Sequence, residues 1–263
     1  MTATRREFLK IAGVSAIGLV FPALPSLANA QAAMPAAGGA PPGTREPLPA
    51  LTAKRWAMAV VGGTCPAGCR ACLDACHLAH NVPAIGNPKD DVHWIGIERI
   101  AHVFPAEAHP LLPEAIGKLS VPVLCNHCEN PPCVRVCPTK ATFKRPEDGI
   151  VMMDFHRCIG CRFCMAACPF GARRFNYRDP RPGIKQTNKQ FPTRMKGVVE
   201  KCSFCVERLA EGKLPACVEA SEGKIAFGDL FDEKSNVREL IKTHYTIRRK
   251  VNLGTEPAVY YIV

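Results

Sequence analysis

Fifteen cysteines in 263 residues fall into four short series, at residues 65–76, 125–137, 158–168 and 202–217, and no other feature constrains the chain as strongly. A pattern met four times implies a duplicated architecture. Thiols at this density either bridge one another or hold metal, so the compartment must be settled first. "TRREFLK" at Thr4–Lys10 carries the paired Arg5 and Arg6, an apolar run covers Ile11–Phe21, and "ANAQ" at Ala28–Gln31 is a small-x-small cleavage pattern. We expect residues 1–30 to be a twin-arginine export signal cut after Ala30, which carries the chain to the periplasm already folded. A retained membrane anchor is the alternative, and the short apolar length with Pro22 and Pro25 fits removal better. Folded export lets metal enter where thiols are reduced, whereas fifteen bare thiols in an oxidising compartment invite scrambled disulfides.

Loss of residues 1–30 removes Arg5, Arg6, Lys10 and Glu7, taking the formal charge from +11 to +9. Such a surface favours an acidic partner or an anionic membrane face, and export excludes nucleic acid. An apolar content of 47% is enough for one large or two modest cores. No apolar run of about 18 residues follows the signal, so any link to a membrane must come through a partner. Residues 31–52, rich in Pro, Gly and Ala, read as a flexible linker, and folding is expected to begin near Lys54.

Between the cysteine series the elements are short. "RWAMAVV" (Arg55–Val61), "VHWIGI" (Val92–Ile97), "GIVMMD" (Gly149–Asp154) and "AVYYIV" (Ala258–Val263) have strand composition. Helices are expected at Ser203–Glu211, ended by Gly212, and at Ser235–His244, with Ser235 as N-cap. Prolines such as Pro131, Pro132, Pro180 and Pro182 keep the loops extended.

Cys158, Cys161, Cys164 and Cys168 followed by Pro169 form the C-x2-C-x2-C-x3-C-P run of a bacterial ferredoxin. In that pattern three closely spaced thiolates converge on one iron–sulfur cube and the fourth ligates its neighbour. Cys125, Cys128, Cys133 and Cys137 repeat it, with "ENPP" lengthening the middle spacing. Crossing then gives a first set, Cys125, Cys128, Cys133 and Cys168, and a second, Cys158, Cys161, Cys164 and Cys137. Applied to the outer series, the same rule gives a third set, Cys202, Cys205, Cys217 and Cys76. The fourth set is irregular twice over: Cys65, Cys69 and Cys72 are joined by Ser221 where a cysteine belongs, and Pro66 stands where the spacing calls for Cys, with Cys65 one residue early. The fourth site is therefore altered, three-iron, serine-ligated or empty; if empty, its cysteines could form a disulfide and leave one free thiol. Three [4Fe–4S] clusters, and a possible fourth altered or three-iron cluster, are the expected cofactors.

His77, His80, His127 and His156 lie beside cysteines and are either tuning groups or surface loop residues. Arg173 with Arg174, and "RRK" at Arg248–Lys250, are either partner-docking groups or solvated charges. We find no C-x-x-C-H haem site, phosphate loop, nucleophile elbow or carboxylate pair, so no catalytic residue is assigned.

The text between the cysteines, above all "PVLCNHCENPPCVRVCPTKATFKR" from Pro122, "GIVMMDFHRCIGCRFCMAACPFGARRFNYRDPRP" from Gly149, "FPTRMKGVVEKC" from Phe191 and "LGTEPAVYYIV" from Leu253, resembles ferredoxin-type electron-transfer subunits of membrane-associated oxidoreductases. These include the subunits that partner polysulfide and nitrite reductases, and the nearer resemblance is to the exported DsrO-type subunits of dissimilatory sulfur metabolism. The resemblance implies a polytopic quinone-interacting membrane subunit and a periplasmic multihaem cytochrome c as partners. The expected fold is α+β, with two ferredoxin-like dicluster modules joined by long loops: an inner module over residues 121–190 and an outer one from 53–120 plus 191–263. The rival class is a disulfide- or zinc-stapled interaction module; a subunit that itself turns over a sulfur compound lacks any pocket chemistry to support it.

Overall fold

The computed structural model describes residues 48–62, 65, 68–109, 111 and 113–263, all within one compact unit spanning 46–263. The expected export signal, residues 31–47 of the linker, and Pro66 lie outside the described residues.

Strand β1 (Trp56–Val61) begins the architecture, and its alternation explains its place. Trp56, Met58 and Val60 face the main core, while the small Ala57 and Ala59 face the other way. Small side chains on that face let helix α8 (Asn236–Thr243) lie close, with Val237 buried against them. β1 pairs antiparallel with β8 (Ile225–Asp229) and parallel with the C-terminal β10 (Val259–Ile262), which pairs with β9 (Thr246–Ile247). The sheet order is therefore β8-β1-β10-β9, joining the two ends of the described chain.

Three two-stranded sheets complete the strands among the described residues. β2 (Ile95–Arg99) pairs with β3 (Ser120–Leu124), β4 (Thr142–Lys144) with β5 (Val151–Met153), and β6 (Arg174–Phe175) with β7 (Val199–Glu200). The helices are short: α1 (Ala71–Ala79), α2 (Ile100–Val103), α3 (Glu114–Gly117), α4 (Pro132–Arg135), α5 (Phe163–Ala167), α6 (Val206–Ala210) and α7 (Ala216–Glu219). None of the described helices is long and apolar enough to cross a membrane.

The fold is mixed α and β, and the boundaries drawn from sequence do not separate its packing. β6–β7 pairs residues from either side of the 190/191 boundary, and β2 reaches β3 across 120/121. The largest core also takes residues from both parts, including Trp56, Trp94, Cys125, Ile150, Phe204 and Tyr261. Arg55 adds a polar tie: its guanidinium donates to Gly149 O and His127 O, each at 2.7 Å. Gly149 has φ +74°, and a Cβ there would lie 1.9 Å from Arg55 Nη1, so both backbone and approach require glycine.

Several elements differ from expectation. The strand expected at Val92–Ile97 runs from Ile95 to Arg99, because the Trp94 side chain is held elsewhere: its ring stacks on His80 at 4.5 Å and its Nε1 donates to Glu200. The helix expected from Ser203 starts at Val206, since Phe204 and Cys205 are left-handed, with φ +55° and +53°. Ser235 occupies the N-cap of α8 but makes no side-chain capping bond; its hydroxyl is buried without a partner.

A buried polar knot fixes the strand that leads into Cys202. Glu200 and Arg194 are 0% and 1% exposed and pair at 2.8 Å. Glu200 also accepts from Trp94 Nε1 at 2.8 Å and from Asn176 Nδ2, while Arg194 donates to the carbonyls of His80, Asn81 and Pro192. Removing one member of such a pair leaves an uncompensated buried charge. Glu200→Ala and Glu200→Gln both leave the Arg194 charge buried and unpaired, so both are expected to lower stability by about 3–5 kcal/mol, as read by chemical denaturation; a Glu200→Gln variant as stable as wild type would mean that the charge is irrelevant.

Candidate metal centre

The four cysteine series share a local geometry that spacing alone does not show. In each, the residue before the second cysteine is left-handed: Gly68 (φ +77°), His127 (+41°), Gly160 (+70°) and Phe204 (+55°). In each, the third cysteine is the second residue of a helix: Cys72 in α1, Cys133 in α4, Cys164 in α5 and Cys217 in α7. A left-handed residue turns the backbone back on itself, and the helix start then presents the third thiol to the first two. For His127 and Phe204 this conformation costs on the order of 1 kcal/mol each, so the surroundings must enforce it.

None of the fifteen cysteines is in a disulfide, and their mutual electrostatics show which ones lie near one another. Burial pushes Cys76 well above the ordinary thiol range, and the nearby Cys202, Cys217 and Cys205 raise it further. Cys128 is pushed up to about 12, first by burial and then by Cys125, with Cys133 and Cys168 adding to it. Cys164 is raised by burial and by Cys133 and Cys158, and it packs in one apolar cluster with Cys133, Cys137 and Cys158. Cys72 is pushed up to about 11 by burial, Cys65 and Cys69. These three and Ser221 line a cavity of ≈ 210 Å³.

Neighbouring sets lie within electrostatic reach of one another in a fixed order. Cys72 raises Cys217, joining the fourth set to the third; Cys125 raises Cys202, joining the third to the first; Cys133 raises Cys164, joining the first to the second. The third set is wholly buried and the first nearly so, while Cys65 and Cys69 at one end and Cys137, Cys158 and Cys161 at the other are half-buried. Two covered middles lie between two accessible ends.

Cations reach into this interior. Arg173 is 2% exposed; burial opposes its charge, but Cys133, Cys164 and Cys125 outweigh that and hold its pKa above the usual guanidinium value. It donates to Thr142 Oγ1 at 3.1 Å. Lys201, also 2% exposed, donates to Val151 O and Cys202 O and partly offsets the rise at Cys202 and Cys133. At Cys137 burial pushes upward, yet the Thr142 amide and the Thr139 hydroxyl and amide hold the thiol below its ordinary value.

These observations correct the reading of the arginines and sharpen that of the histidines. Arg173 is no docking residue but an interior cation between the first and second sets. Arg174 donates to His93 Nε2 at 3.0 Å, Arg248 lies over Tyr260, Arg249 over Phe170, and Lys250 donates to Pro169 O at 2.6 Å. His127 is buried, stacked on Phe204 at 3.7 Å, and accepts the Val151 amide on Nδ1, so Nε2 carries its proton; burial, then Lys201, Arg55 and Arg173, hold it neutral. His80 is buried with Nε2 2.7 Å from Glu207 and Nδ1 3.0 Å from Cys76 O. His156 is exposed and His77 half-buried. His80, Cys205 and Glu207 bring three possible ligand atoms within 4.8 Å of one another, and Glu207 had no signal in the sequence beyond its place two residues after Cys205.

The residues fit iron–sulfur clusters on evidence of their own. Buried donors without a partner gather beside the thiols: Asn126 Nδ2, His127 Nε2, Ser203 Oγ, Thr255 Oγ1, Arg173 Nη2 and His77 Nε2. Orphaned donors are rare in folded interiors, and cluster and ligand sulfurs are acceptors of that kind. The sequence comparisons agree. A model described as a 4Fe-4S dicluster domain matches residues 117–181. The chain is 38% identical to the Hdr-like menaquinol oxidoreductase iron-sulfur subunit 1 of Archaeoglobus fulgidus, covering 98% of this chain and 97% of that one. It is 35% identical to the menaquinone reductase iron-sulfur cluster-binding subunit of Nitratidesulfovibrio vulgaris (79% and 88%) and 36% identical to the NrfC homolog of Haemophilus influenzae (80% and 80%). Site and similarity together define a [4Fe–4S] protein of the dicluster type. The chain belongs to the family of ferredoxin-type iron–sulfur electron-transfer subunits.

Replacing Arg173 by Met removes a cation from beside Cys133 and Cys164. The reduction potentials of the first and second sites should fall by on the order of 100 mV, as one charge a few ångströms away gives at an effective dielectric near 20. Arg173→Lys should shift them less, and the third site hardly at all. Redox titration followed by electron paramagnetic resonance checks this; a uniform shift at all sites would deny Arg173 its local role.

Proposed function

We propose that the chain is a periplasmic, DsrO-type electron-transfer subunit of a sulfur-metabolism complex. It relays electrons between a quinone-interacting membrane subunit and a multihaem cytochrome c. The observation that carries the relay is the row of four cysteine sets, covered in the middle and accessible at both ends. When bound, [4Fe–4S] clusters supply one-electron donor and acceptor sites. Cys125, Cys128, Cys133 and Cys168 would hold one, Cys158, Cys161, Cys164 and Cys137 a second, and Cys202, Cys205, Cys217 and Cys76 a third. The first and second sets form one ferredoxin-like pair and the third and fourth the other, and the two pairs share one core.

The protein's own contribution is environment. Buried apolar side chains such as Phe204, Ile150 and Leu124 exclude water from the middle sets, while Arg173 and Lys201 supply fixed positive charge. On the segments that carry the second set, Ile159 and Phe163 are exposed, as are Arg135, Lys140 and Arg162, a composition suited to an acidic partner. Support for the quinone link comes from relatives named as menaquinol oxidoreductase and menaquinone reductase subunits. The export route rests on Arg5, Arg6 and the Ala28–Gln31 pattern. Among the described residues no group offers bond-making chemistry, and we assign no catalytic role.

Anaerobically purified full-length chain should be brown, contain both iron and acid-labile sulfide in near-equal amounts, and accept electrons from quinol only when its membrane subunit is present. Iron-free protein, zinc in its place, or turnover of a sulfur compound by the isolated chain would each overturn this reading.

A further inference from the structure

Ser221 stands four residues after Cys217, where the other series place Cys76, Cys137 and Cys168. Its hydroxyl donates to Val218 O at 2.7 Å and accepts the Ile225 amide at 3.0 Å, and the side chain is buried. Both bonds close the turn between α7 and β8, reinforced by Lys224 N to Ser221 O at 3.2 Å. A serine that ligates iron does so as an alkoxide, having lost the very proton that this hydroxyl donates to Val218 O. The hydroxyl is therefore committed to the backbone.

The rest of the fourth set is built like the other three. Gly68 supplies the left-handed residue before Cys69, and Cys72 opens α1 at the second position, as Cys133, Cys164 and Cys217 open theirs. Such a repeat preserved in the turn and the helix start speaks for a site that still holds something. Cys65, Cys69 and Cys72 face one cavity of ≈ 210 Å³ that Lys224 also lines.

We propose that this cavity holds a three-iron cluster on Cys65, Cys69 and Cys72, with Ser221 forming its wall and not its fourth ligand. The proposal rests on the iron–sulfur reading above. A cube takes four protein ligands; with three thiolates, the corner facing Ser221 has none, and its iron is left out. Each thiol gives its proton to solvent as it binds, and Lys224 offsets part of the resulting negative charge.

Full-length protein, purified anaerobically and then oxidised, is expected to contain ~15 iron atoms per chain, four for each of three cubes and three more. It should show the near-isotropic paramagnetic signal of an oxidised three-iron cluster. Ser221→Ala should keep that signal and iron content; Ser221→Cys should abolish the signal and add about one iron, completing a cube. The reduced-state signals of the three cubes report folding in every sample. Loss of the three-iron signal in Ser221→Ala with the cube signals intact would make Ser221 a ligand and overturn the proposal. So would wild-type protein with ~12 iron atoms and no oxidised-state signal, or with ~16 and none. Those wild-type results decide the cluster type even where a variant does not fold, and they leave the relay standing. Protein without iron or sulfide sinks the relay reading itself.

Discussion

Burying a thiolate is the constraint from which the rest of this structure follows. Water stabilises a charged sulfur far better than a protein interior does, and burial is the first cause of the raised pKa at Cys72, Cys76, Cys128, Cys202, Cys205 and Cys217. Thiols gathered in sets raise one another further. A chain that collects them in its core must therefore supply compensating charge or a cation. This one does both, placing Arg173 and Lys201 beside the sets and bringing the sulfurs together for metal.

The same constraint explains the backbone. Helices of four or five residues have little stability of their own, yet α4, α5 and α7 each start one residue before a cysteine. Their purpose is positional. Left-handed His127 and Phe204 stack on each other, so two strained turns from different series brace one another across the junction of the first and third sets. Arg55 ties the first of those turns to Gly149, and the Glu200 knot anchors the strand that enters the second.

What could be read in advance was the part written in spacing. The intervals between cysteines, and strands such as Trp56–Val61 and Val259–Ile262, stand out because period and residue type agree. Arg173 and Lys201 do not, since a basic residue in a polar stretch looks the same whether it faces solvent or sulfur. Trp94 misled the strand assignment because its alternation with Val92 imitates a strand, while its ring and Nε1 are engaged by His80 and Glu200, which are distant in sequence. The sequence marks Ser221 as a departure; only its two backbone bonds show what the hydroxyl is used for.

Charge balance also couples this interior to its cofactors. With their thiols raised by burial, Cys133, Cys164 and Cys202 are neutral near pH 7 unless metal displaces their protons. In that neutral condition Arg173 and Lys201 are buried cations facing no counter-charge, an arrangement that costs several kcal/mol for each unpaired ion. Loading converts the surrounding thiols to thiolates and turns the same two side chains from a liability into partners. The fold is thus complementary to its loaded state, which is the state that the proposed folded export would require before the chain leaves a reducing compartment.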